Sequence, residues 1–207
     1  MATNNTTIGI IGTTGRDKSR PLNKKHFEFM ADVLEQYLEN LFNEHKEIER
    51  DNVTLYSGGA AWADHTAVDF FLKNSEKCKL VVYLPCPIVE KQLDDGTKVY
   101  KFEDNGTKGV SNPGRTTNGY HENFSKQIGR DTILDIVKAK ELGAIIDNSV
   151  LGFKNRNTCI SKADFLVAFT GAPGNAPLGG GTLDTWKKSN SKYKSHITIP
   201  ESFTKIN

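Results

Sequence analysis

The 207-residue chain has no apolar run near the roughly 20 residues that a membrane-spanning helix requires. It has only three cysteines, Cys78, Cys86 and Cys159, odd in number and widely spaced, with no CxxC and no Cys/His metal pattern. That excludes a disulfide framework and a zinc site, and reduced thiols in a cytoplasmic protein are expected. No metal and no cofactor is expected. An excess of one charge is also missing: 27 basic and 25 acidic residues leave a net charge of +2. Such a balance gives no electrostatic basis for a nucleic-acid partner. The opening Met-Ala-Thr-Asn-Asn-Thr-Thr lacks the basic start and apolar stretch of a signal peptide. Collagen, coiled coil, membrane protein and wholly disordered chain are all excluded by composition.

What is present is alternation. Thr7 to Ile11 reads as a short buried strand. Phe27, Met30, Ala31, Leu34, Leu38 and Leu41 have helical spacing, with polar residues between them. Val53–Ser57 and Lys79–Leu84 read as strands, with a helix over Ala60–Leu72 between them. Helical spacing returns over Arg130–Leu142 and Asn155–Lys162. The segment from Asp164 to Phe169 is the strongest further strand. A helix over Thr182–Ser189 and a last strand at His196–Ile199 complete the pattern. Strands alternating with helices predict an α/β fold: one Rossmann-like domain, a three-layer sandwich with a mainly parallel sheet. The stretch from about 86 to 129 is a polar insertion. Asp94-Asp95-Gly96 predicts a hairpin within it, Asn112-Pro113-Gly114 predicts a further turn, and the whole has two readings, a lid or binding loop, or a mobile excursion without a function. The apolar share of 37% and the mean hydropathy of −0.49 then describe an ordinary core diluted by that insertion.

In a parallel sheet, loops leaving the carboxyl ends of the strands share one rim, and ligands bind there. Three of these loops are glycine-rich: Gly12-Thr13-Thr14-Gly15 followed by Arg16, Gly58-Gly59-Ala60-Ala61, and Gly179-Gly180-Gly181-Thr182. Glycine leaves room for a ligand and lets consecutive N–H groups converge, and a helix N-terminus adds partial positive charge. Together they suit a phosphate-bearing ligand. The spacing Gly9-x-x-Gly12-x-x-Gly15 is not the dinucleotide fingerprint, and no GxxxxGK[ST] is present, so a P-loop NTPase is excluded. Asp64 has two readings, a hydrogen bond to ribose or a cap on its helix. Arg156 is a phosphate partner or a surface ion pair. His121 in the insertion is an acid/base candidate if that segment folds over the rim, with Tyr120 able to stack on a base.

Ser57-Gly58-Gly59-Ala60-Ala61-Trp62-Ala63-Asp64 resembles the Ser-Gly-Gly-Ala-x-Gly-x-Asp segment of the SLOG superfamily. That group unites the DNA-processing protein DprA (Smf) with the LONELY GUY cytokinin-activating enzymes. Arg156-Asn157 before the strand Ala163–Phe169 is similar to its Arg-Asn helix and Ala-Asp strand. Pro177-Leu178-Gly179-Gly180-Gly181-Thr182-Leu183-Asp184-Thr185 resembles the Pro-Gly-Gly-x-Gly-Thr-x-x-Glu motif of the LONELY GUY branch. The resemblance implies a Rossmann-like fold that binds a nucleotide or nucleotide-derived small molecule. In that branch it also implies hydrolysis of the bond between base and ribose 5′-monophosphate. This sequence departs from the pattern at three positions: Trp62 and Leu178 stand where the motifs have Gly, and Thr185 stands where the catalytic Glu is expected. Thr185 cannot ionise.

Two functions follow as expectations. One is a binding or sensing module. The alternative is an N-glycosidase or phosphoribohydrolase that takes its carboxylate from Asp64, Asp184 or Glu122, with His121 as a further catalytic candidate. The expected ligand contacts are Gly12, Thr13, Thr14, Gly15, Arg16, Ser57, Gly58, Gly59, Asp64, Arg156, Asn157, Gly179, Gly180, Gly181 and Thr182. DNA handling by analogy with DprA ranks last. Self-association into a homo-oligomer is compatible with the sequence.

Overall fold

A computed structural model describes residues 5–107 and 111–203. Six strands form one sheet: β1 (Thr6–Gly12), β2 (Val53–Ser57), β3 (Lys79–Tyr83), β6 (Ile145–Asp147), β7 (Phe165–Thr170) and β8 (Tyr193–Thr198). Their order is β6-β3-β2-β1-β7-β8, and every pairing is parallel. The Rossmann-like α/β sandwich expected from the alternation is what the chain forms.

Parallel strands are buried on both faces, so their sequences are nearly continuous apolar runs. In β1, Ile8 and Ile10 face the larger core and Ile11 the smaller one on the opposite side. The larger core is built with α1 (Lys24–Glu44), α2 (His65–Asn74), α3 (Pro113–Ile128) and α4 (Thr132–Glu141). The smaller one lies under α5 (Phe153–Ile160) and α6 (Gly180–Lys188). Helix α1 shows the local logic. Asn23 caps it reciprocally with His26, and Phe27, Met30, Leu34, Leu38 and Leu41 bury one stripe. Each such side chain contributes roughly 1.5–3 kcal/mol on burial.

The insertion is more ordered than its polarity suggests. It holds the predicted hairpin, β4 (Ile88–Gln92) and β5 (Lys98–Phe102), and then α3. The turn predicted at Asn112-Pro113-Gly114 is instead the start of that helix. Asn112 accepts the N–H of Arg115, Pro113 opens the first turn, and left-handed Gly129 ends it. The side chains that α3 buries are Thr117, His121 and Phe124, which join the core through one aromatic ring and two polar groups. Phe124 packs at 5.0 Å from the Phe27 ring and 4.6 Å from Trp62. Among the described residues no helix is long and apolar enough to cross a membrane.

From β1 the chain moves outward through β2 and β3 to β6, and then crosses back to the other side of β1 for β7 and β8. The direction reverses between β1 and β7. That switch point opens a crevice at the carboxyl ends of these two strands.

Candidate functional site

A cleft of about 660 Å³ occupies this crevice, within the size range of small-molecule sites. Its walls come from the loops after β1 and β7, the first turn of α6, one face of α5 and the inner face of α3.

The floor is polar and buried. Asp64 is 3% exposed and Arg156 is 9% exposed, and both line the cleft. Gly58 lies between them: a Cβ there would stand 2.6 Å from the Asp64 carboxylate and 2.8 Å from Nε of Arg156. Only glycine fits that position. Burial pushes the Asp64 carboxyl up from its ordinary value. The charge of Arg156 and the backbone N–H groups of Ala60, Gly58 and Gly12 pull it back. Asp64 thus ties the ends of β1 and β2 together. It makes no side-chain cap on α2, which is one of the roles its sequence position suggested. Arg156 is not the surface ion pair that its position also allowed. Its Nη1 donates to the Gly58 carbonyl at 3.1 Å, and Nη2 and Nε donate to Oδ1 of Asn157 at 3.2 and 3.4 Å. Asn157 in turn donates to the Gly181 carbonyl at 3.3 Å. Arg-Asn therefore couples the floor to the first turn of α6.

That first turn forms one wall. Gly179 is the N-cap, and no side chain caps the helix. The first amides of an α-helix have no intrahelical acceptor, so this end offers donors and partial positive charge to the cleft. Gly180 has φ +66°, and a Cβ there would lie 3.0 Å from Nη2 of Arg16. Thr182 is neither the N-cap nor free for a ligand through its hydroxyl, which donates to the Gly12 carbonyl at 2.9 Å and closes the switch point. Thr185 is 1% exposed and donates to the Gly181 carbonyl at 2.9 Å.

Gly12, Thr13, Thr14, Arg16, Asp64, Arg156, Asn157, Gly179, Gly180, Gly181 and Thr182 all line the cleft. Gly15, Ser57, Gly58 and Gly59 stand behind its wall. Ser57 donates to the Asp64 carbonyl at 2.8 Å and accepts the Gly59 N–H at 3.1 Å, so these residues shape the loop from behind.

Three catalytic candidates sit elsewhere, outside the lining of the cleft. Asp184 faces out from α6 with its carboxyl held low by Lys188, whose Nζ is 2.9 Å away. His121 does not reach over the rim. It is fully buried behind the wall, between Thr132 Oγ1 at 2.7 Å and the Gly59 carbonyl at 3.0 Å. Burial and the neighbouring His65 push its pKa down to about 3, so the ring is neutral. The carbonyl fixes the proton on Nε2, and Nδ1 accepts from the Thr132 hydroxyl. Glu122 is exposed and paired with Lys126 at 2.8 Å. The neighbouring Tyr120 does line the cleft.

Arg20, Thr117 and Phe153 also line the cleft and were not singled out from the sequence. Arg20 had one usable signal, a position four residues beyond Arg16 in the same loop after β1. Among the described residues no group of three or more His, Cys, Asp or Glu side chains is placed to hold a metal ion.

The fold and this cleft define the class: a parallel α/β protein with a candidate binding site at the switch point of its sheet. No family model matches the chain. It is 34% identical over 198 residues to a protein described as Uncharacterized protein R261 of Acanthamoeba polyphaga mimivirus, covering 93% of this chain and 95% of that one. The chain belongs to the same family as that viral protein.

Proposed function

We propose that the protein binds a nucleotide or nucleotide-derived, phosphate-bearing ligand in the switch-point cleft and acts as a binding or sensing module. The observation that carries this reading is the pairing of Arg16 with Gly180. A guanidinium lies against an uncapped helix N-terminus, so two positive features meet at one spot facing the cleft. Among the described residues no carboxylate stands within ion-pair distance of Arg16. A phosphate group would satisfy both features. The resemblance of the glycine segments Ser57–Asp64 and Pro177–Thr185, with Arg156-Asn157 between them, to the SLOG pattern supports the same ligand class. Retention without turnover is favoured by Thr185, because no carboxylate stands at the motif's catalytic position.

One observation favours the second reading, an N-glycosidic hydrolase. Asp64 is a buried carboxylate lining the cleft, with its pKa raised by burial. It would have to supply the charge that the missing Glu does not.

A thermal-shift panel of mono-, di- and cyclic nucleotides and ADP-ribose tests the binding reading. A ligand at about 100 times its Kd adds roughly 2.7 kcal/mol of stability. No shift with any of them would refute it. Chromatography of a bound nucleoside monophosphate after long incubation separates the two readings. Intact nucleotide is expected, whereas free base released by the wild type and not by Asp64→Ala would establish the hydrolase.

A further inference from the structure

We infer that the cleft is built for a diphosphate, so that a nucleoside diphosphate is bound in preference to the monophosphate, with Arg20 as the residue that sets this preference. The inference rests on the nucleotide-binding reading above and deepens it.

Two arginines of the loop after β1, Arg16 and Arg20, reach across the switch point to the loop after β7. Arg16 meets the far end of that loop, with Nη2 3.0 Å from the Cβ position of Gly180. Arg20 meets its near end. Its Nη1 donates to the Gly171 carbonyl, and its guanidinium carbon lies 3.0 Å from the Cβ position of Gly171. A side chain at 171 would displace the Arg20 guanidinium, and one at 180 would press on that of Arg16.

These two points lie along one stretch of crevice. Thr182, in the first turn of α6, is bonded to Gly12, and Gly12 is the register partner of Phe169, two residues before Gly171. Arg16 and the helix end therefore hold one phosphate, and Arg20 stands just beyond the carboxyl end of β7 for a second. The carbonyl of Gly171 engages one of Arg20's five N–H donors and leaves the rest of the fork available. Like Arg16, Arg20 has no carboxylate within ion-pair distance among the described residues. Asp17, in the same loop, is bonded to the Ser19 hydroxyl at 2.6 Å and the Ser19 N–H at 2.9 Å, and the backbone N–H and charge of Arg20 add to the lowering of its carboxyl. A planar fork pre-positioned by a backbone carbonyl is the geometry that recognises phosphate oxygens in pairs.

The test is calorimetric titration of the full chain with AMP and with ADP, in the wild type, Arg20→Gln and Arg20→Lys. In the wild type ADP is expected to bind at least about tenfold more tightly than AMP, the size of one charge-assisted contact. Arg20→Gln is expected to bring the ADP/AMP affinity ratio close to one, and Arg20→Lys to retain part of it. A purely structural role for Arg20 would weaken both ligands together and leave the ratio intact, which would overturn the assignment. AMP binding as tightly as ADP to the wild type would overturn the diphosphate preference while leaving the nucleotide-binding reading standing. Binding of neither would overturn the diphosphate preference, and a silent thermal-shift panel beside it would overturn the nucleotide-binding reading as well.

Discussion

The Nε2 of His121 lies 3.0 Å from the carbonyl oxygen of Gly59, so a residue of the insertion holds the glycine loop that follows β2. The bond is part of a directed chain. His121 donates to Gly59 and accepts from Thr132, whose hydroxyl lies 2.9 Å from Ser125 Oγ; Ser125 also accepts the Thr132 N–H at 3.1 Å. Groups of both charge signs lie close by. His65 on α2 is 5.9 Å away between ring centroids, and Asp135 on α4 is 3.2 Å from His65 Nε2 and 2.8 Å from Arg130 Nε. Nδ1 of His65 is the one buried side-chain polar atom without a partner among the described residues.

His121 should make stability depend on pH in a definite window. Its folded pKa is pushed from 6.5 down to about 3. Between these values the unfolded chain binds a proton that the folded chain does not. The stabilisation is therefore complete above pH 6.5 and is lost as pH falls towards 3. About 2 kcal/mol should disappear between pH 7 and pH 5. Urea denaturation at the two pH values measures this. His121→Gln, which keeps a donor for Gly59 but does not titrate, should flatten the slope over that range. An unchanged slope would contradict the assignment.

Trp62 holds φ +66° while 1% exposed, a left-handed backbone at a buried aromatic residue. For a bulky L-residue that conformation costs roughly 1–2 kcal/mol, here offset by burial of the indole. Trp62→Ala should lose about 3–5 kcal/mol through the cavity. Trp62→Gly should be the more stable of the two by roughly 1 kcal/mol, reversing the usual order of Ala over Gly. Chemical denaturation of both variants decides it, and an Ala variant more stable than the Gly variant would rule out the strained backbone.

Asp64→Asn should destabilise the protein by about 1–3 kcal/mol, because it removes the buried carboxylate whose charge acts on Arg156 and which accepts the N–H groups of Ala60, Gly58 and Gly12. Adding Arg156→Met should recover part of that loss, since the second change removes the unpaired charge. A double-mutant cycle on unfolding free energies measures the coupling, expected at about 1–3 kcal/mol. Strict additivity would mean that the two groups do not sense each other.

Much of this architecture was legible in the residue pattern, and what was hidden has a physical reason. Strands such as Val53–Ser57 and the long amphipathic α1 announce themselves through apolar periodicity. Helix α3 does not, because three of the four positions it buries are Gly114, Thr117 and His121, which carry no apolar signal. Its start at Asn112-Pro113 carries the composition of a turn, and Gly129 at its end marks only where the polar stretch stops. Strand β6 is only three residues long with Ile145 62% exposed, too short for a period to show. At the site, the glycine loops were visible as a set. The support from Ser57 and His121 depends on contacts 7 and 62 residues apart in sequence, which spacing does not reveal. Arg20 likewise acquires a role only once β7 is seen beside β1.

The central claim is that the N-terminus of α6, with Arg16 beside it, receives the phosphate of a nucleotide. Calorimetric titration of the wild type and of Gly180→Glu with ADP tests it most directly, with circular dichroism to establish that the variant is folded. The account predicts saturable binding by the wild type and a loss of at least about tenfold in the variant, whose carboxylate would meet Arg16 and repel phosphate. Equal affinity in a folded Gly180→Glu variant, or no binding by the wild type, would contradict it.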